Sequence, residues 1–153
     1  MRLIFLSLIA TSTLLFSGCA SVPKEDAKTS NALKQFKAPT ANKAGLYVYR
    51  KGGIGQALKK DIWVDGKCLG ESAPNIFFYK EVAGNAKHTV STESEFGNND
   101  LIVPTVAGTN YYIKQYIKPG LMVGGANLKL MPTKQGQKDV SKLDLATQGI
   151  CSK

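Results

Sequence analysis

The sequence predicts a mainly β protein, an antiparallel β-sandwich of about seven strands with a short C-terminal helix. From Gly45 onward, short runs of β-branched and aromatic residues follow one another, and glycines separate many of them. Asp65-Gly66 lies at the end of one of these runs, and this pair is the strongest short-range signal for a hairpin turn. Many short strands at regular spacing favour two packed sheets over a parallel α/β fold.

Seven runs have the composition of strands. They are 45–50, 61–66, 76–82, 87–96, 100–106, 110–117 and 121–131. Pro104 lies inside one run and indicates an edge strand or a bulge, because proline cannot donate to a sheet. The segment 136–150 predicts one short helix, with Val140 and Leu143 facing inward and Gly149 ending it.

Residues 1–18 have the character of a secretory signal peptide. Arg2 is their only charge, and an apolar stretch follows that is too short to be kept as a membrane span. The stretch Leu15-Phe16-Ser17-Gly18-Cys19 resembles the lipobox of bacterial lipoproteins, with phenylalanine where leucine is usual. The resemblance implies that Cys19 is acylated with diacylglycerol and palmitate-type chains and becomes the new N-terminus. The alternative is an ordinary signal peptide followed by a chance cysteine.

The residue after Cys19 bears on sorting. In lipoproteins of the enterobacterial type an aspartate there retains the protein in the inner membrane, and this chain has Ala20. The resemblance therefore implies an outer-membrane protein whose domain lies in the periplasm or faces the cell surface. Residues 19–43 are expected to form the lipidated cysteine and a flexible tether of roughly 25–30 Å, and 44–153 the sandwich.

The chain is basic, with a net charge of +9 from 20 basic and 11 acidic residues. Loss of Arg2 with the signal peptide leaves +8 on the mature chain. Nucleic acid is not expected as a partner, because a periplasmic lipoprotein meets little of it. Anionic glycans and lipid headgroups are the available partners, and a merely solvated lysine-rich surface is the alternative.

The order of the motifs resembles a known family. The segments GLYVYR, VDGKCLGESAP, AGNAKHTV and AGTNYYIKQYI are similar to those of the bacterial lipoprotein family called domain of unknown function 2846. The hairpin VDGKCLGESAP is also similar to the PEGA-type surface module, although Gly84 and His88 stand two residues further apart than in that module. The resemblance implies a transthyretin-like sandwich and no assigned activity.

Cys68 and Cys151 are the two thiols left after lipidation of Cys19. An even pair in an oxidising compartment predicts a disulfide; two unpaired structural cysteines, or a catalytic Cys68, are the alternatives. No catalytic residue, cofactor or metal site is predicted. His88 has no carboxylate neighbour in sequence and is expected to be structural. Glu93, Glu95 and Asp100 of TESEFGNND are expected to be solvated, and calcium binding or glycoside hydrolysis by paired carboxylates is the alternative.

Five aromatic residues are the candidates for a binding surface. Alternation places Tyr47 with Tyr49, and Tyr112 with Tyr116, on single strand faces, with Trp63 beside them. Such a set suits glycan or protein binding. The alternative is that these rings form the second inner face of the sandwich.

These observations together favour a membrane-anchored, non-enzymatic protein with a structural or binding role in the cell envelope. One alternative is an inhibitor or assembly factor that binds a periplasmic or secretion-system protein. The other is a hydrolase acting on the cell wall, which is disfavoured because the sequence offers no convincing acid–base pair.

Overall fold

The computed structural model describes residues 19–153, so the predicted signal peptide lies outside the described residues. Within that range the chain forms nine strands and two helices. In chain order they are α1 (Ala27–Leu33), β1 (Lys43–Arg50), β2 (Lys60–Val64), β3 (Lys67–Ser72), β4 (Ile76–Ala83), β5 (Lys87–Ser94), β6 (Gly97–Pro104), β7 (Asn110–Lys118), β8 (Gly125–Met131), α2 (Thr133–Val140) and β9 (Asp144–Leu145).

The strands form two sheets, with the orders β8-β7-β1-β4-β9 and β3-β2-β5-β6. The predicted sandwich and its short C-terminal helix are confirmed. The sheets are not purely antiparallel, because β1 pairs in parallel with β7 and β4 in parallel with β9. Parallel pairs need long connections, and such pairings are not visible in the local pattern of a sequence.

The hairpin between β2 and β3 has the predicted turn. Asp65 and Gly66 have φ values of 50° and 72°, which is the left-handed backbone that the Asp-Gly signal requires. Pro104 ends β6, which is an edge strand as predicted. The C-terminal helix runs from Thr133 to Val140 and so begins and ends earlier than predicted.

The main core lies between the two sheets. Leu46, Val48, Ile62, Val90 and Ile113 are among its fully buried members. Burying such side chains contributes about 1.5–3 kcal/mol each before the cost of ordering the chain is counted.

A second apolar cluster lies on the other face of the five-stranded sheet. It contains Tyr47, Tyr49 and Tyr112, with Val140 and Leu143 from the C-terminal segment. The two helices cover this face, so the domain has three layers: helices, the five-stranded sheet and the four-stranded sheet.

The structure corrects the expectation of a flexible tether over 19–43. Lys24 forms an isolated bridge with Ala146, and its Nζ lies 2.8 Å from Asp144 Oδ2. α1 follows at once, and the Asp26 side chain caps it by accepting a hydrogen bond from Thr29 N.

The physical reason is that this segment carries apolar side chains that can be buried against the second apolar cluster. Leu33 and Phe36 pack on the second cluster, and the Phe36 ring lies edge-on to Tyr47 with centroids 5.5 Å apart. The Tyr47 hydroxyl donates to the Leu33 carbonyl at 2.9 Å. Proline and charge in a segment indicate exposure, but they do not exclude a short docked helix.

The close approach of α2 to the sheet generates a prediction. A Cβ atom at Gly136 would lie 2.2 Å from Cβ of Tyr112, which is closer than atoms can approach. Gly136→Ala should therefore destabilise the domain by roughly 1–3 kcal/mol through overpacking. The better helix propensity of alanine, about 1 kcal/mol, acts in the opposite direction.

The measurement is the free energy of unfolding in urea. Lys134→Ala, on the exposed face of the same helix, is the matched control and should change the free energy of unfolding little. Equal or greater stability of Gly136→Ala would contradict the observed seating of α2 on Tyr112.

Candidate functional site

Three of the five aromatic candidates are buried. Tyr47, Tyr49 and Tyr112 expose at most 1% of their surface. Tyr47 stacks on Tyr112 with ring centroids 5.1 Å apart, as their pairing in neighbouring strands allows. Burial also raises the pKa of the Tyr47 and Tyr49 hydroxyls. For these three residues the alternative of an inner face holds and the binding surface does not. Helices cover this face, not the other sheet.

Trp63 and Tyr116 lie apart from each other. Trp63 is half-buried in β2 of the four-stranded sheet, opposite Cys68. Tyr116 lies near the end of β7 in the five-stranded sheet and is 38% exposed. The structure therefore does not bring these two rings together as one surface.

Asp139 attaches α2 to the tyrosine cluster. Its carboxylate accepts hydrogen bonds from the Tyr49 hydroxyl and from Lys51 Nζ, both at 2.9 Å. Gln135 donates to the same group at 3.0 Å. Burial works to raise the pKa of Asp139, but the bonds from Lys51 and Tyr49 outweigh it and hold the pKa below its usual range.

Arg50 is a buried cation that the sequence analysis did not single out. Its Nη1 donates to the Leu58 carbonyl at 2.8 Å and its Nη2 to the Gly55 carbonyl at 2.5 Å. Burial lowers its pKa to about 10. In the sequence, this position is marked only by an arginine at the end of an apolar strand. In the structure, Arg50 holds the connection between β1 and β2 against the sheet.

A basic cleft opens beside Arg50, with a volume of about 330 Å³. Its lining residues are Arg50, Lys51, Gly52, Ile54, Lys114, Gln115, Tyr116 and Ile117. The lining contains three cationic side chains and no carboxylate. The cleft offers hydrogen-bond donors and positive charge to an anionic group, with Lys51 already paired to Asp139, and its lining includes no serine, threonine or cysteine.

Cys19 lies at the same end of the sandwich as this cleft. It is exposed, and its Sγ lies 3.4 Å from Gln56 Oε1. Ala20 N donates to the Gln56 carbonyl at 2.9 Å. The residue expected to carry lipid is therefore accessible, and it rests on the connection that Arg50 holds.

The predicted disulfide between Cys68 and Cys151 is confirmed. The Cα atoms lie 6.1 Å apart and the residues are 83 positions apart in sequence. The bond ties β3 to the C-terminal segment. Backbone hydrogen bonds from Gly149 N to the Leu69 carbonyl and from Glu71 N to the Ile150 carbonyl reinforce the same seam.

His88 does have a carboxylate neighbour, which the fold supplies from 23 residues away. Its Nδ1 lies 2.6 Å from Asp65 Oδ2, and its Nε2 lies 2.9 Å from the Ala83 carbonyl. Asp65 also accepts from Thr89 N at 2.9 Å. The turn residue Asp65 thus clamps the hairpin to the start of β5, and both nitrogens of the ring are engaged.

The acidic residues near the turn after β5 have partners. Glu93 Oε1 lies 2.5 Å from Lys153 Nζ, and Glu95 accepts hydrogen bonds from the backbone of residues 121–123. Within residues 19–153, no three histidine, cysteine or acidic side chains converge in a group that could hold a metal ion.

The comparisons with known proteins identify the family. A family model described as "Protein of unknown function (DUF2846)" matches residues 40–126. The chain belongs to this family. The matched DUF2846 region runs from just before β1 into the start of β8, so it includes the Asp65–His88 clamp and the basic cleft.

A relative extends the match beyond the family model. A protein of Haemophilus influenzae (strain ATCC 51907 / DSM 11121 / KW20 / Rd), described as an uncharacterized protein, is 50% identical over 133 residues. That alignment covers 87% of this DUF2846 chain and 79% of the relative. No match was found among solved structures. In the part of the chain that the structure describes, neither helix has the length and apolar character needed to cross a membrane.

The disulfide generates a prediction about stability. Cys68→Ser/Cys151→Ser should lower the free energy of unfolding by roughly 2–4 kcal/mol, because the unfolded chain regains the entropy of a large loop. Urea denaturation with and without reductant measures the loss. Reductant should destabilise the wild type and leave the double variant unchanged, and an insensitive wild type would contradict a stabilising bond.

A second prediction concerns pH. Burial works to lower the pKa of His88, but its bonds to Asp65 and the Ala83 carbonyl outweigh it and raise the pKa above the ordinary 6.5. The stabilisation that the protonated His88 contributes is therefore fully present below pH 6.5. It is lost as the pH rises through the raised pKa of His88. Asp65, whose pKa is lowered from 3.8, sets the acid limit, because its contribution is lost as the pH falls through that lowered value.

Thermal melts between about pH 5 and 9 test this. His88→Gln should lower the melting temperature by a few degrees at the acid end of the range and by less at the alkaline end. Asp65→Asn, which keeps a residue that tolerates positive φ, should remove most of the same pH dependence. A constant difference between wild type and His88→Gln at every pH would show that the charged pair adds nothing.

Proposed function

We propose that the mature protein is a lipoprotein, anchored in a membrane through acyl chains on Cys19, with a non-catalytic structural or binding role in the cell envelope. The observation that carries the proposal is the sequence Leu15-Phe16-Ser17-Gly18-Cys19 after an apolar segment. Several acyl chains on one residue give stable anchoring, whereas a single chain binds only marginally.

The outer membrane is the proposed location. Ala20 after the cysteine favours it over retention in the inner membrane. The Cys68–Cys151 disulfide supports an oxidising compartment, in which such bonds form and persist. The domain would then lie in the periplasm or at the cell surface.

A binding or structural role fits the polar groups of the described region better than catalysis does. His88, Asp139 and Glu95 each make contacts that hold one segment of the fold to another. Cys68 forms the disulfide and therefore has no free thiolate for catalysis. The basic cleft beside Arg50 supports an anionic partner, such as the phosphate or carboxylate groups of an envelope glycan.

The test is Cys19→Ala in cells. This variant should lose the fatty-acid label of the wild type and keep residues 1–18, because acylation of Cys19 precedes cleavage in the pathway that the lipobox implies. Cys68→Ser/Cys151→Ser is the matched control for loss of a cysteine and should stay with the membranes. A fatty-acid label that persists on Cys19→Ala would overturn the proposal.

The location has its own readout in the same cells. A density gradient that separates the inner and outer membranes should place the wild type with the outer membrane. Recovery of the wild type with the inner membrane would be compatible with the lipid anchor but would contradict the proposed outer-membrane location.

A further inference from the structure

The end of the sandwich that carries Cys19 also carries strongly exposed apolar side chains. Leu121 and Met122 are 88% and 87% exposed, and Ile54 and Phe96 are both 81% exposed. They belong to three connections: residues 51–59 between β1 and β2, residues 95–96 between β5 and β6, and residues 119–124 between β7 and β8. These three connections form the Cys19 end of the domain.

The three connections touch one another and Cys19. Cys19 contacts Gln56 in the first connection. Gly124 of the third lies against the Leu58 side chain of the first. Glu95 of the second accepts hydrogen bonds from the third, from Leu121 N at 2.7 Å and from residues 122 and 123. The apolar side chains therefore share one end with the expected anchor.

The exposure of Leu121 and Met122 is built into the fold. The Glu95 carboxylate accepts from three successive backbone amides, and those bonds, the one from Met122 first, lower its pKa. These bonds satisfy the backbone amides of the third connection on the side that faces the domain. Its side chains are left pointing away from the domain, without a described residue covering them.

Positive charge lies beside the apolar side chains. Lys118 directly precedes the third connection and lines the groove that also contains Phe96 and Leu121. Within residues 19–153, Lys118 and Lys114 form no ion pair. Cationic groups next to exposed apolar groups suit the anionic and zwitterionic headgroups of a bilayer surface.

The chain between the expected anchor and the domain is short. Only four residues separate Cys19 from Lys24, whose bridge to Ala146 holds it to β9. Fully extended, this connection spans at most about 18 Å. Because Ala20 is already bonded to Gln56, the anchor and the Cys19 end stay together, and a lipidated Cys19 brings this end to the headgroups first.

We propose that the Cys19 end is a membrane-docking surface: Ile54, Phe96, Leu121 and Met122 enter the headgroup region of the bilayer, and Lys118 contacts the lipid phosphates. This rests on the proposed lipid anchor. The domain then sits on the membrane in one orientation, with the Asp65-Gly66 turn and Val106 at the far end of the sandwich.

The experiment uses the full lipidated protein in vesicles of phosphatidylcholine with brominated acyl chains, with and without added phosphatidylglycerol. Trp63 is the only tryptophan of the chain and is replaced by phenylalanine. Leu121→Trp or Met122→Trp then reports the Cys19 end. Val106→Trp is the matched control, since Val106 is an apolar residue, 57% exposed, at the opposite end.

Bromine should quench the fluorescence of Leu121→Trp and Met122→Trp by roughly twofold or more, because interfacial side chains reach the acyl boundary. Val106→Trp should be unaffected. Added phosphatidylglycerol should increase the quenching, and Lys118→Glu should reverse that increase.

Flotation of the same vesicles separates the two proposals. Vesicles that float without the protein would overturn both the anchor and the docking. Protein that floats while its Leu121→Trp and Met122→Trp variants stay unquenched would leave the anchor intact and overturn the docking. Shielding of these tryptophans only in native membranes would then assign the surface to a protein partner. Equal quenching at both ends would also overturn a single orientation.

Discussion

The burial of β1 on both faces is the constraint on which the rest of the structure depends. Seven of its eight residues are buried, and it lies between β7 and β4 at the centre of the larger sheet. Leu46 and Val48 point into the core between the sheets, whereas Tyr47 and Tyr49 point to the other side. A sheet that is apolar on both faces must be covered on both. The second sheet covers one face of β1, and the two helices cover the other.

The helical layer follows from the tyrosines. A tyrosine ring is apolar but its hydroxyl needs a partner when it is buried. The Leu33 carbonyl of α1 meets the Tyr47 hydroxyl, and Asp139 of α2 meets that of Tyr49. Each contact positions a helix, and the first of them also positions the segment that leads from Cys19 into α1. The position of Cys19 is therefore coupled through α1 and the Lys24 bridge to the packing of the central strand.

Arg50 links this core to the proposed membrane-facing end. A buried guanidinium is costly unless its donors are satisfied, and here the carbonyls of Gly55 and Leu58 satisfy two of them. The connection so held presents Gln56 to Cys19 and Leu58 to Gly124. Arg50, at the end of the central strand, thus holds the first of the three connections at the Cys19 end. Glu95, which lies in the second connection, holds the third.

Local patterns in the sequence were enough for the features that depend on neighbouring residues. The seven strand runs, the Asp65-Gly66 turn, the edge position of Pro104 and the family resemblance are of this kind. The structure adds β3 and β9, which matched none of those runs. The disulfide was also predictable, because Cys68 and Cys151 are the one pair of thiols left once Cys19 is set aside as the expected lipidation site. The signal and lipobox pattern lies in residues 1–19 and is read from sequence alone.

Tertiary structure decided what depends on contacts between distant residues. Alternation placed Tyr47 with Tyr49, and Tyr112 with Tyr116, on single strand faces. Only the pairing of β1 with β7 joined these faces, and only the docking of α1 and α2 made the joined face an interior. The Asp65–His88 pair, the buried Arg50 and the Glu95 contacts join segments whose separation in sequence carries no pattern. The tether was misjudged for the same reason: a short amphipathic segment gains a fixed place only from the surface that receives it, and that surface is assembled from strands far along the chain.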